Sequence, residues 1–178
     1  VKFLLWVAAI VALAWLFSIF ILQQFVISSN SMEQTLQVGD RVVVNHTAYW
    51  SNPIVSGDLI VFNGRDSLSL EDKDFVKRVI GVAGDRVKCC DPNGWITIND
   101  VPLDETSYLY PGDIASNFEF DVEVPEGKLW VLGDHRSESA DSRTQLGAPG
   151  GGFVSTSQVR GQVVAILWPP GRLQLMAQ

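Results

Sequence analysis

Three serines, Ser28, Ser29 and Ser31, crowd the stretch SSNSMEQTL. A serine hydroxyl is a weak nucleophile at neutral pH, and attack on a carbonyl needs an adjacent base to take its proton. The chain has two histidines, His46 and His135. His135 stands beside Asp134 and near Asp141 in GDHRSESADSR, so composition allows a Ser-His-Asp arrangement. The alternative base is a lysine whose pKa burial lowers from ~10.4 toward roughly 7–8, at about 4 kcal/mol of desolvation. DFVKRVI, residues 74–80, offers one. In a strand Phe75, Lys77 and Val79 share one face and Val76, Arg78 and Ile80 the other. Arginine is effectively never deprotonated, so of the two basic residues only Lys77 can serve as a base. A lysine there is more often an exposed residue or one with a buried stem and a solvated head. Residue chemistry thus leaves two readings open: a polar collar where the chain leaves the apolar run before it, or a reaction centre for acyl transfer by a serine with lysine or histidine as its base.

These residues must be held by short strands. RVVVN (41–45), DLIVF (58–62), DFVKRVIGV (74–82), DRVKC (85–89), GWITIND (94–100), KLWVLG (128–133) and VRGQVVAILW (159–168) are rich in Val, Ile and aromatics. Gly-Asp pairs at 39, 57, 84, 112 and 133 mark turns, most of them just before a strand, and GAPGGG (147–152) and PPG (169–171) mark loops. No segment beyond residue 30 sustains a long 3.6-residue period. The expected fold is mainly β, a single globular domain over residues 27–178. Ahead of it, Phe3–Leu22 contains one polar residue, Ser18. A helix of that length spans ~30 Å, the thickness of a bilayer core. The run is longer than the ~7–15 apolar residues of a cleaved leader. Residues 1–26 are therefore expected to form a retained transmembrane anchor. Lys2 favours a cytoplasmic N-terminus, which puts the β-domain outside the cytoplasm.

Charge and cysteine usage narrow the function. The formal net charge is −7, and all 20 acidic residues lie beyond residue 29. Nucleic acid is not an expected partner, because phosphate binding needs clustered Lys and Arg. The two cysteines, Cys89 and Cys90, are adjacent, which matches neither zinc-ligand spacing nor a disulfide framework. Two ordinary thiols and a vicinal disulfide both remain open, and no metal or cofactor is expected.

SNSMEQTLQVGDRVVVN, GDLIVF, KRVIGVAGD and LGDHRSESADSR, in that order behind an apolar helix, resemble the blocks of the bacterial type I signal peptidases. These are membrane-anchored Ser/Lys endopeptidases that remove signal peptides from exported proteins. KCC and GDHR look most like the actinobacterial branch. The resemblance implies that Ser31, directly before the methionine, is the nucleophile and Lys77 the general base. Ser29 and the backbone N–H of Ser31 would form the oxyanion hole. Ser139 would orient the lysine, and Asp141 and Arg143 would form a buried ion pair beneath it. Ser28 has no family role. The family accepts small residues at A-x-A-like sites, and Ile27, Met32, Leu36, Phe75 and Val76 fall on positions lining its substrate pockets. The substrate would add as a strand to an edge near residues 74–80. Signal peptides of exported preproteins and the lipid bilayer are the implied partners, with the chain a monomer in the bacterial cytoplasmic membrane.

Three positions depart from the family's commonest pattern. Ser28 and Gln34 stand where proline is usual, and Asn30 where glycine is frequent. His135 also replaces the usual asparagine of G-D-N-R. Two other readings stay in view: a LexA-like self-cleaving Ser/Lys protease, which the apolar helix and acidic charge oppose, and a non-catalytic membrane-anchored β-domain, which the presence of both Ser31 and Lys77 opposes.

Overall fold

A computed structural model describes residues 6, 7, 10 and 21–176. The seven segments with strand-like composition are all strands, which we number with the others in chain order. These are β2 (Arg41–Asn45), β3 (Leu59–Asn63), β4 (Asp74–Val82), β5 (Arg86–Cys89), β6 (Ile96–Ile98), β9 (Lys128–Leu132) and β11 (Val159–Trp168). Five more complete the set: β1 (Leu22–Val26), β7 (Val101–Pro102), β8 (Phe120–Glu123), β10 (Val154–Ser155) and β12 (Gln174–Leu175). The larger sheet runs β1-β2-β11-β3-β4-β9-β10, with β12 also on β11. The smaller runs β7-β6-β5-β8. Every strand pair in both is antiparallel.

The larger sheet is apolar on both faces at its centre. Along β3, Leu59 and Val61 join a core with Val42, Val44, Met32, Leu36 and Ile166. The intervening Ile60 and Phe62 join another with Val79, Leu129 and Val131. This is the two-sided burial that an uninterrupted LIVF run encodes. A third cluster, around Trp130, Ile80, Val87 and Ile96, binds the smaller sheet to the larger. Cys89 and Cys90 are bonded to each other, so the vicinal disulfide is the alternative realised.

Two features near the serines bear on the site, and the first departs from expectation. Leu22–Val26, assigned from sequence to the anchor, is strand β1, pairing residue by residue with Asn45–Arg41. Its burial is slight except at Phe25, so backbone pairing with β2 holds it. Most of the expected span lies outside the described residues; among those described, no helix is long and apolar enough to cross a membrane. The second feature is an edge. β3 pairs with β4 from Asp74 to Arg78, whereas β9 pairs with it only from Arg78 onward. Asp74–Lys77 therefore have a strand neighbour on one side only among the described residues.

Candidate active site

Ser31 sits in a single 3-10 turn, Asn30–Met32, that follows β1. Ile27, buried just before it, donates its N–H to the Asp40 carbonyl at 2.9 Å and fixes where the turn begins. The backbone closes behind Ser31 through Glu33 N–H to Asn30 O, 2.9 Å, and Leu36 N–H to Met32 O, 2.7 Å. The left-handed residue here is Gln34, at φ 83°, and not Asn30. Proline, with φ held near −65°, could not occupy position 34 on this backbone, which accounts for that departure from the family pattern. Ser31 is 7 % exposed, and its Oγ lies 3.3 Å from Ser29 Oγ. The Ser31 carbonyl accepts the His135 N–H at 3.2 Å.

Lys77 is 2 % exposed. Its Nζ donates to Ser139 Oγ at 3.1 Å, and Ser139 Oγ donates to Asp141 Oδ2 at 2.7 Å. Arg143 closes the chain with Nε to Asp141 Oδ1 and Nη2 to Oδ2, each 2.8 Å. Burial pushes the Lys77 ammonium down from 10.5 to about 8; Asp141 and Asp134 pull it back up, and Arg143 pushes it lower. Desolvation is the largest of these influences, and Arg143 works against the pull of Asp141. Among the described residues, no hydrogen bond runs directly from Lys77 to Ser31.

A cleft of about 220 Å³ joins the two residues. Ser29, Ser31 and Lys77 all line it, as do Ile27, Met32, Phe75 and Val76. Leu36 does not. It is wholly buried in the core with Val42 and Val44, so its apolarity serves packing. Ser28, assigned no role from the sequence, lines the cleft, together with Phe25, Lys73 and Glu138. Neither imidazole does. His46 bonds Arg160 O at 2.6 Å and Gln23 Oε1 at 2.8 Å. The His135 ring stacks on Tyr110 at 3.8 Å. Its Nδ1 is 3.3 Å from Glu33 Oε2 but off the line of a hydrogen bond.

The loop carrying Ser139 is tied down from several directions. Val131 N–H donates to Ser142 Oγ at 3.0 Å, and Gly133 N–H to Asp141 Oδ2 at 3.1 Å, which fasten it to the end of β9. Asp141 also caps the turn Ser142–Gln145 in a capping box with Thr144. Arg78 reaches Asp134 twice, at 2.8 and 2.7 Å, while Thr35 Oγ1 donates to the same carboxylate at 2.5 Å. That carboxylate thus links β4, the turn beyond Ser31 and the Ser139 loop.

Ser29, Ser31 and Lys77 thus share one cleft, and Ser139, Asp141 and Arg143 follow one another behind Lys77. Signal peptidase, peptidase S26, is the family model that matches, over residues 1–168. The chain belongs to the signal peptidase family. It is similar to the probable signal peptidase I of Mycobacterium leprae, with 33 % identity over 94 % of this chain and 78 % of that one. It is similar to signal peptidase I U of Bacillus subtilis, with 32 % identity over 93 % and 86 %. A solved signal peptidase I from Enterococcus faecalis is 28 % identical and covers 63 % of this chain and 97 % of its own, with a TM-score of 0.47. Family membership makes the chain a serine endopeptidase, a hydrolase.

In this peptidase Gly133 makes a prediction of its own. A Cβ there would fall inside contact distance of both Ser139 Oγ and the Ser31 carbonyl oxygen. Neither neighbour can yield, since Ser139 is held by Asp141 and the Ser31 carbonyl by His135. Gly133→Ala is expected to cost about 1–3 kcal/mol of stability through overpacking and roughly 10²-fold in kcat through displacement of the site. Denaturant unfolding and peptide hydrolysis measure the two losses separately. Wild-type kcat would refute the close fit.

Proposed function

We propose that this chain removes signal peptides from exported preproteins after small residues, with Ser31 as nucleophile and Lys77 as general base. The observation that carries the reading is a buried lysine, shifted to about 8, sharing one cleft with a buried serine. Neutral Lys77 takes the Ser31 proton as Oγ attacks the carbonyl carbon. The oxyanion accepts from the Ser29 hydroxyl and the Ser31 N–H, donors worth a few kcal/mol each. The lysine ammonium then returns the proton to the leaving amine, giving an acyl-enzyme and the free mature chain. A water deprotonated by Lys77 attacks the ester in turn, and Ser31 is regenerated. The absence of a direct Lys77–Ser31 hydrogen bond does not oppose this, because such contacts tighten when substrate binds. Ser139 fixes the Nζ direction, and the Asp141–Arg143 pair fixes Ser139.

The substrate segment adds as a strand along the free side of Asp74–Lys77, opposite β3. Alternate side chains then enter the cleft between Ile27, Met32, Phe75 and Val76, where bulk is excluded. The apolar run Phe3–Leu22 supports a single-pass anchor in the bacterial cytoplasmic membrane, with the β-domain outside and monomeric. Nucleic acid has no part in this reading. Detergent-solubilised protein incubated with a preprotein should release a mature chain whose new N-terminus follows an A-x-A-like site. Cleavage confined to the protein's own chain would favour the self-cleaving reading, and no cleavage would favour a binding domain.

A further inference from the structure

A second concavity, of about 560 Å³, opens on the smaller sheet, away from the catalytic cleft's residues. Its size suits a ligand or short peptide segment. Buried Cys89 lines it, and its exposed lining includes Trp95, Ile114 and Phe118, which are 43 %, 61 % and 43 % exposed. Asp91, Glu105, Asp113 and Glu119 also line it, and no lysine or arginine does. Glu105 is neutralised from behind by Arg136. The other three leave the pocket apolar in its walls and negative in its field.

Its wall is bound to the loop that carries Ser139. Arg136 holds Glu105 and donates to Ala115 O at 2.8 Å. Ser137 N–H donates to Asp113 Oδ2 at 3.1 Å. Tyr110 N–H donates to Asp134 O at 3.0 Å, and its ring stacks on His135, whose own N–H holds the Ser31 carbonyl. Contacts therefore run from Ser31 through His135 and Tyr110 to Leu109 in the pocket, through residues of which none but Ser31 lines the catalytic cleft.

We propose that this pocket is an accessory substrate site. It takes the first few residues of the mature chain, on the leaving-group side of the scissile bond, and favours a bulky apolar or aromatic residue beside Lys or Arg. The proposal rests on the peptidase reading above. Charge complementarity selects the basic residue, and the exposed aromatics select its neighbour. The hydrogen bonds to the catalytic loop favour the substrate itself over an independent partner.

The test uses the full chain in detergent and three peptides with one signal sequence and one cleavage site. The first carries Lys-Phe-Lys-Trp a few residues beyond the scissile bond, the second Glu-Ser-Glu-Ser there, and the third stops short of it. The basic peptide should show a KM about fivefold below that of the acidic one, at equal kcat and low salt. Phe118→Ser with Glu119→Lys should abolish that ratio and leave the short peptide's kcat/KM unchanged, as should Glu119→Lys alone in part. Equal KM values in the wild type, or a ratio that survives in the double variant, overturns the proposal. So does a free Lys-Phe-Lys-Trp peptide that binds the pocket without competing with either substrate, since the occupant is then a separate partner. Failure of the wild type to cleave even the short peptide overturns the peptidase reading, and the accessory site with it.

Discussion

Lys77→Met is expected to reduce cleavage by at least about 10³-fold while leaving the fold as stable or more stable. The side chain's burial explains both effects. Methionine matches the aliphatic stem but cannot take a proton from Ser31. Holding the ammonium at about 8 instead of 10.5 costs the folded chain about 3 kcal/mol, which methionine does not bear. The stability gain depends on pH with a definite sign. Below about 8 both folded and unfolded wild type hold the proton, and the cost is felt in full. Between about 8 and 10.5 the unfolded chain binds more protons, so wild-type stability rises and the advantage of methionine narrows. Wild-type kcat/KM should likewise climb with pH through about 8 as neutral lysine accumulates. His135→Ala should keep activity within about tenfold, because its ring does not line the cleft. Retained activity in Lys77→Met with loss in His135→Ala would overthrow the dyad.

The readable parts of this molecule were those where one residue's chemistry or one strand's pattern is sufficient. β2, β3 and β9 hold continuous apolar runs, and burial on both faces is what such runs encode, while β4 and β11 stand out by their density of Val, Ile and aromatics. β1 was hidden because Leu22 ends the apolar run and Phe25 and Val26 follow it after only Gln23 and Gln24, and hydropathy cannot separate so short a strand from the end of a helix. β7 and β8, VP and FDVE, are too short or too polar to stand out, and only their pairing in the smaller sheet defines them. At the site, the rule that arginine keeps its proton separated Lys77 from Arg78. Family motifs, and not periodicity, chose among the serines. The convergence of Thr35 and Arg78 on Asp134 had no local signal, since it joins positions 99 and 56 residues apart. Leu36 illustrates the converse, because its motif position implied a pocket and packing claimed it.

Asp141→Ala should be the most damaging change outside the reacting atoms. Both oxygens of this carboxylate are engaged: Oδ2 accepts from Ser139 Oγ, Gly133 N and Arg143 Nη2, and Oδ1 from Arg143 N and Nε. Its removal strands Arg143, whose side chain is 3 % exposed, and a buried charge without its partner costs about 3–5 kcal/mol. Activity should also fall, because Ser139 loses the acceptor that aims it at Lys77. What activity survives should titrate differently. Asp141 raises the Lys77 pKa and Arg143 lowers it, so deleting Asp141 alone should move the kcat/KM midpoint below about 8. Combining Asp141→Ala with Arg143→Ala removes opposing influences, and the midpoint should return toward about 8. The double variant's stability loss should be well short of the sum of the two single losses, since one partner's absence already forfeits the pair. Unfolding measurements and pH profiles on the three variants test this together. Additive losses, or a midpoint that rises in Asp141→Ala, would mean that the pair does not set the environment of Lys77.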